Sequence, residues 1–179
     1  MSLEKWKKIS SEKKFENYWW TYMLDKCIIP NRREYEYHYV HTGGSAMIIP
    51  VTNDGKFIMV KQYRYLNDFF SIEFPAGGVK DGQNPDEIAR KELIEESGFD
   101  GTLKKIGIFN PFNGVTDEIC HVYVAENLTK SDKENKDESE EFEILYKTAS
   151  EINLMIKNNE TIDGMSMAAW AMYSTKFTD

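Results

Sequence analysis

The sequence predicts an α/β fold, a mixed sheet with helices packed on it, and three observations carry that expectation. Short apolar runs bounded by Gly, Pro, Asn and Asp recur along the chain, as strands and turns require. One stretch, Pro85 to Ser97, carries full helix punctuation instead. At 179 residues the chain can bury one layered core, and neither an internal repeat nor a linker divides it.

Taken in order, residues 1–16 are charged, lack a clear apolar period and read as irregular or partly helical. The aromatic run Tyr18-Trp19-Trp20-Thr21-Tyr22 continues as far as Ile29. Pro30-Asn31-Arg32-Arg33 then reads as a turn, after which Tyr35, Tyr37 and Tyr39 alternate with Glu36 and His38 at the strand period, so this region reads as a hairpin. Residues 46–51 and 56–62, joined by Asn53-Asp54-Gly55, read as a second hairpin. Residues 69–74 form an apolar strand stopped by Pro75-Ala76-Gly77-Gly78.

The next helix is marked at both ends. Asn84 is an N-cap, Pro85 suits the first helical position, Glu87 gives a capping-box-like spacing, and Gly98 suits the residue past the end. Further strands are expected at 103–109, 119–125 and 142–147, with the acidic stretch 129–141 as a loop. Two closing helices are expected at 150–158 and 165–176.

Composition excludes several functions. A net charge of -8 argues against a nucleic acid held on a basic surface, while leaving room for a small phosphorylated ligand if divalent cations invert the local field. No segment approaches the roughly 20 apolar residues of a membrane span, and the polar start lacks the apolar core of a secretory signal. Cys27 and Cys120 form neither a disulfide framework nor a metal pattern, so reduced thiols and a cytoplasmic location are expected. His38, His41 and His121 show no ligand spacing and are read as structural.

The informative segment is Gly77 to Phe99. Glu92, Glu95 and Glu96 share one helix face, an arrangement that like-charge repulsion opposes and a hard divalent cation relieves. The glycines ahead of the helix let backbone pass close to that face, where a carbonyl is available as a further ligand. Without the loop, the same acids describe only a solvated face with Arg90 and Lys91 as counter-charges.

These residues resemble the Nudix box, G-x5-E-x7-R-E-U-x-E-E-x-G-U with U bulky and apolar. The pattern is kept at Gly77, Glu92, Leu93, Glu95, Glu96, Gly98 and Phe99; Gln83 replaces the first glutamate and Lys91 the arginine. Lys91 keeps the charge but loses the planar fork, and Gln83 keeps hydrogen bonding but not charge, so a slower or metal-shifted site is expected. The stretches His41-Thr42-Gly43-Gly44-Ser45-Ala46, Val60-Lys61-Gln62-Tyr63-Arg64-Tyr65, Glu73-Phe74-Pro75-Ala76-Gly77 and Asn113-Gly114-Val115-Thr116-Asp117-Glu118 resemble the ADP-ribose pyrophosphatase branch of that family.

The resemblance implies an α/β/α sandwich around a mixed sheet at residues 43–179, with residues 1–42 as a strand extension that builds a homodimer. It implies Mg²⁺ or Mn²⁺ on the Ala76 carbonyl, Glu92 and Glu96, with Glu95 binding metal or positioning water. A base is expected among Glu138, Glu140 and Glu141; Glu138 and Glu141 are carried as catalytic and Glu140 as a further metal ligand. Arg64 is assigned to a phosphate or the terminal ribose, Glu118 to metal or substrate hydroxyls, and Trp19 and Trp20 to stacking on the base. Each has a plainer reading, as a surface arginine, a solvated acid or buried aromatic packing. The implied reaction is hydrolysis of a nucleoside diphosphate sugar, ADP-ribose to AMP and ribose 5-phosphate. The alternatives are another nucleotide sugar such as GDP-mannose, or a module that binds a nucleotide without cutting it. No nucleic-acid or membrane partner is implied.

Overall fold

The computed structural model describes residues 3–132, 141–161 and 163–177. The centre is a four-stranded mixed sheet in the order β7 (Ala76–Gly78), β4 (Ser45–Pro50), β9 (Cys120–Lys130), β8 (Phe99–Phe109). Strands β4 and β9 run parallel and the other pairs antiparallel. Every residue of β4 is buried because both of its faces are covered. Ala46 and Ile48 point towards helix α1 (Pro85–Ser97), joining Ala89, Leu93 and Tyr123. Met47 and Ile49 point the other way, into the larger core with Phe57, Met59 and Trp170. Each fully buried Ile or Leu contributes about 1.5–3 kcal/mol, so β4 anchors both layers.

The second layer is an antiparallel sheet, β10 (Glu143–Lys147), β5 (Phe57–Arg64), β6 (Phe69–Glu73), with helices α2 (Ala149–Lys157) and α3 (Gly164–Phe177). The second expected hairpin is therefore corrected. The turn after β4 does form, with Thr52 N–H donating to Lys56 O at 2.8 Å and Gly55 at φ 78°. Past the single bridge Val51–Phe57, however, β4 and β5 enter different sheets, each drawn to a longer-range partner.

Residues 1–16 are also corrected. Lys7–Glu16 is a strand, β1, paired antiparallel with β2 (Thr21–Ile28), which pairs with β3 (Glu34–His41). All ten β1 side chains are exposed, so its conformation comes from backbone pairing and leaves no apolar period to read. The turn between β1 and β2 is tied by Asn17, whose side-chain oxygen accepts the N–H groups of Trp19 and Trp20, both at 2.9 Å. That turn presents Tyr18 and Trp19 at its tip.

Helix α1 has the expected bounds. Asn84 caps the Asp86 N–H at 3.0 Å rather than that of Glu87; the reciprocal capping box belongs to α2, between Thr148 and Glu151. Gly98 ends α1 at φ 74° with its N–H on Ile94 O, a backbone position that favours glycine. Both cysteines are buried free thiols, and burial pushes the Cys120 thiol up to about 11. Among the described residues no helix is long and apolar enough to cross a membrane.

Candidate active site

The Gly-rich loop and α1 are held together by two of the acids. The Ala76 N–H donates to the Glu96 carboxylate at 3.0 Å, and Glu96 is only 6% exposed. A Cβ added at Gly77 would fall inside the Glu92 carboxyl group, so glycine is what lets Glu92 lie against the loop. Lys91, one residue before Glu92, places its ammonium 3.3 Å from Glu92 and 2.6 Å from Glu95. The hydrogen bond to Glu95, supported by the charge of Glu92, raises the Lys91 pKa, so the ammonium stays charged. Lys91 is thus a counter-charge as expected, but Arg90 turns away to Asp100 on β8, at 2.7 Å. Gln83 lies in the turn before α1, where its side-chain oxygen accepts the Lys80 N–H at 2.9 Å. An amide fills that role as well as a carboxylate would.

Ala76 and Gly77 also line a cleft of about 430 Å³, together with Trp19, Arg64, Lys80 and Glu118. Arg64 reaches it from the end of β5 but is gripped by Glu73 on the neighbouring strand, with Nε on Oε1 at 2.8 Å and Nη2 on Oε2. Glu73 raises the Arg64 pKa first through that hydrogen bond. Glu73 is buried and also accepts from Gln62 at 3.3 Å. The β5–β6 register sets Glu73 opposite Val60, on the strand face that also carries Gln62 and Arg64, and its side chain reaches along that face to both.

Glu118 enters from the loop before β9 and accepts the Ser45 hydroxyl at 2.7 Å. That loop is pinned to the end of β3. Val40 N–H donates to Val115 O at 2.9 Å, and His41 Nδ1 meets Asp117 Oδ2 at 2.6 Å while its Nε2 faces Asp81 at 3.2 Å. The bond to Asp117, with Asp81 assisting, raises the His41 pKa above its ordinary value. His38 meets the Tyr22 hydroxyl, and His121 accepts from Lys105. Trp19 faces the cleft, whereas Trp20 lies in an adjoining recess of about 260 Å³ and packs on Phe15.

A glycine loop folded over the acids of one helix, at the wall of a cleft, is the arrangement the box spacing implied, and residues 41–164 match the NUDIX domain. The chain belongs to the Nudix family of hydrolases. It is 34% identical over 143 residues to the ADP-ribose pyrophosphatase of Bacillus subtilis (strain 168), covering 79% of this chain and 77% of that one. It is 33% identical over 150 residues to the methanol dehydrogenase activator of Bacillus methanolicus, covering 82% and 80%. The crystal structure of an ADP compounds hydrolase shares the fold, with a TM-score of 0.82 at 18% identity over 98% of this chain and 95% of that one.

The donor set of this Nudix site suits Mg²⁺ or Mn²⁺. Among the described residues no three acidic, His or Cys side chains form a ready metal cage. Mg²⁺ needs none, since it is commonly held by one or two carboxylates, water and the substrate's own phosphates. The buried Glu96, Glu92 against Gly77 and the Ala76 backbone supply hard oxygens of that kind. Of the expected bases, Glu138 and Glu140 lie outside the described residues. Glu141 is exposed and borders a separate recess with Lys61, Tyr63 and Phe70.

Proposed function

We propose that this Nudix hydrolase cuts the diphosphate bond of a nucleoside diphosphate sugar, with ADP-ribose as the first choice, giving AMP and ribose 5-phosphate. The observation that carries the reading is the shared Ala76-Gly77 backbone: one side meets Glu96 and Glu92, and the same two residues line the cleft. A relative that is named an ADP-ribose pyrophosphatase and aligns with most of the chain supports that substrate.

Hydrolysis adds water oxygen to one phosphorus, breaks the bridging P–O bond and passes the water proton to a base. Glu92, Glu96 and the Ala76 carbonyl would hold Mg²⁺ or Mn²⁺, which when bound shields the diphosphate charge and lowers the pKa of water. Glu95, held by Lys91, orients the attacking water or adds a metal ligand. The base belongs to the 138–141 acids, with Glu138 and Glu141 as the catalytic choices and Glu140 as a further metal ligand. Glu118, held by Ser45, addresses the sugar hydroxyls or the metal. Arg64, fixed by Glu73, offers its remaining N–H groups to phosphate or ribose. Trp19 stacks on the base, with Trp20 in the adjoining recess completing the aromatic wall.

Residues 1–42 are proposed as the dimerising extension, since the exposed aromatics Trp6, Phe15 and Tyr35 lie on or beside the sheet of β1, β2 and β3. A cytoplasmic location fits the free thiols. Purified protein incubated with ADP-ribose, GDP-mannose and related nucleotide sugars, with Mg²⁺ or Mn²⁺, should release nucleoside monophosphate fastest from ADP-ribose and stop in EDTA. Undiminished turnover in EDTA would remove the metal, and no release from any nucleotide sugar would remove the substrate class. Sedimentation at micromolar concentration should show a dimer; a monomer would refute that assignment.

A further inference from the structure

Lys80 stands where the box loop meets the β1–β2 turn, and nothing in the box pattern gives position 80 a task. Its ammonium lies 3.7 Å from the centroid of the Tyr18 ring. Both residues line the 430 Å³ cleft and the adjoining 260 Å³ recess, so the pair sits where the two spaces meet. The base of the side chain is fixed. Lys80 N–H donates to the Gln83 side chain at 2.9 Å, and Gln83 N–H returns a bond to Lys80 O at 3.0 Å. The neighbouring Asp81 is engaged by His41.

The other cation of the cleft wall, Arg64, is paired with Glu73, whereas no ion pair to Lys80 is found among the described residues. The adjoining carboxylates Glu118, Glu96 and Glu92 all oppose an entering anion. A solvent-exposed contact of an ammonium with a ring is weaker than its charge-assisted hydrogen bond to a phosphate oxygen, so exchanging one for the other favours the bound state.

We propose that Lys80 is a substrate-binding residue: its ammonium moves from the Tyr18 ring to the diphosphate of the incoming ligand. This rests on the nucleotide-sugar reading above.

The test is calorimetric binding of ADP-ribose and of adenosine in EDTA, where Lys80 carries the diphosphate without help from a metal, paired with steady-state kinetics in Mg²⁺. Lys80 is exposed, so its substitution spares the fold. Lys80→Gln should weaken ADP-ribose binding about tenfold, roughly 1.4 kcal/mol. Its KM should rise by a similar factor with kcat within about twofold, the mark of a contact made equally before and during the reaction. Adenosine binding should not weaken, and Lys80→Arg should recover most of the ADP-ribose affinity. Equal ADP-ribose binding by wild type and Lys80→Gln would overturn the proposal, as would an equal loss for adenosine or a loss confined to kcat. If wild type neither binds ADP-ribose in EDTA nor cleaves it in Mg²⁺, the nucleotide-sugar reading itself fails and this inference falls with it; if it cleaves ADP-ribose without binding it in EDTA, an unchanged KM for Lys80→Gln overturns the proposal.

Discussion

Two regions meet at the cleft and are built by different rules. Around Gly77 and α1, polar groups are tied to partners within the same segment: Glu96, which is buried, to Ala76, Glu92 against Gly77, Lys91 to Glu95, Gln83 to Lys80. In the β1–β2 hairpin the aromatics Phe15, Tyr18, Trp19 and Trp20 stand exposed, and the conformation rests on backbone pairing and the Asn17 turn. The first region has little freedom to lose when chemistry occurs. The second has surface to offer. Changes at the box acids should therefore act on turnover, and changes in the hairpin, or at the Lys80 that rests on it, on ligand affinity.

The largest expected effect is at Glu96. Glu96→Gln keeps the volume and an acceptor for Ala76 N–H but removes the charge proposed to hold the metal. It should lower kcat by about a thousandfold or more, about 4 kcal/mol of barrier, with an unchanged circular dichroism spectrum. A fully active variant would show that the chemistry lies elsewhere.

Gly77→Ala sharpens the same contrast. The new methyl displaces only the end of a flexible glutamate, so the fold should hold while Glu92 is pushed off the loop. A fall in kcat of about tenfold to a hundredfold is expected, or about 1.4–2.7 kcal/mol. A variant that instead loses most of its thermal stability would mean the glycine serves folding rather than the site.

Trp19→Ala probes the other region. Stacking of a base on an aromatic side chain is worth about 1–3 kcal/mol, so KM for ADP-ribose should rise about tenfold while kcat changes little. Because Trp19 is exposed, the melting temperature should not move. An unchanged KM, or a loss carried by kcat alone, would break the division of labour between the two regions.

The smallest effect concerns the His41 clamp, which ties the end of β3 to Asp117 in the loop before β9 and to Asp81 in the box loop. The folded-state pKa of His41 is raised, chiefly by the bond to Asp117, so the clamp's stability is fully present below the unfolded value near about 6.5. It is lost as pH rises through the higher folded value. Melting temperature measured upward from that point should therefore decline, and His41→Gln should flatten the decline. An identical pH profile for the variant would show that the charge of His41 does not hold the loop.

How far these features could be read in advance follows the distance between the residues that make them. The Asn84 cap, the Gly98 stop and the spacing of Glu92, Glu95 and Glu96 lie within a few positions of one another, and the α1 bounds were legible for that reason. Strand β6 was legible from its apolar run and Pro75. The β4–β5 hairpin was misread because a good turn says nothing about whether its two arms find nearer rewards in other sheets. The tie of Glu73 to Arg64 was not legible, because it depends on the β5–β6 register setting both side chains on one face of the sheet.

What the sequence determined by itself is therefore the Nudix box and the helix that carries it, because caps and i, i+4 neighbours are set by local geometry whatever surrounds them. Only the tertiary structure decided that β1 is a strand, that Glu73 claims Arg64, and that Lys80 rests on Tyr18. Each of those contacts joins segments whose register is fixed by burial and pairing elsewhere, and no local rule along the chain specifies it.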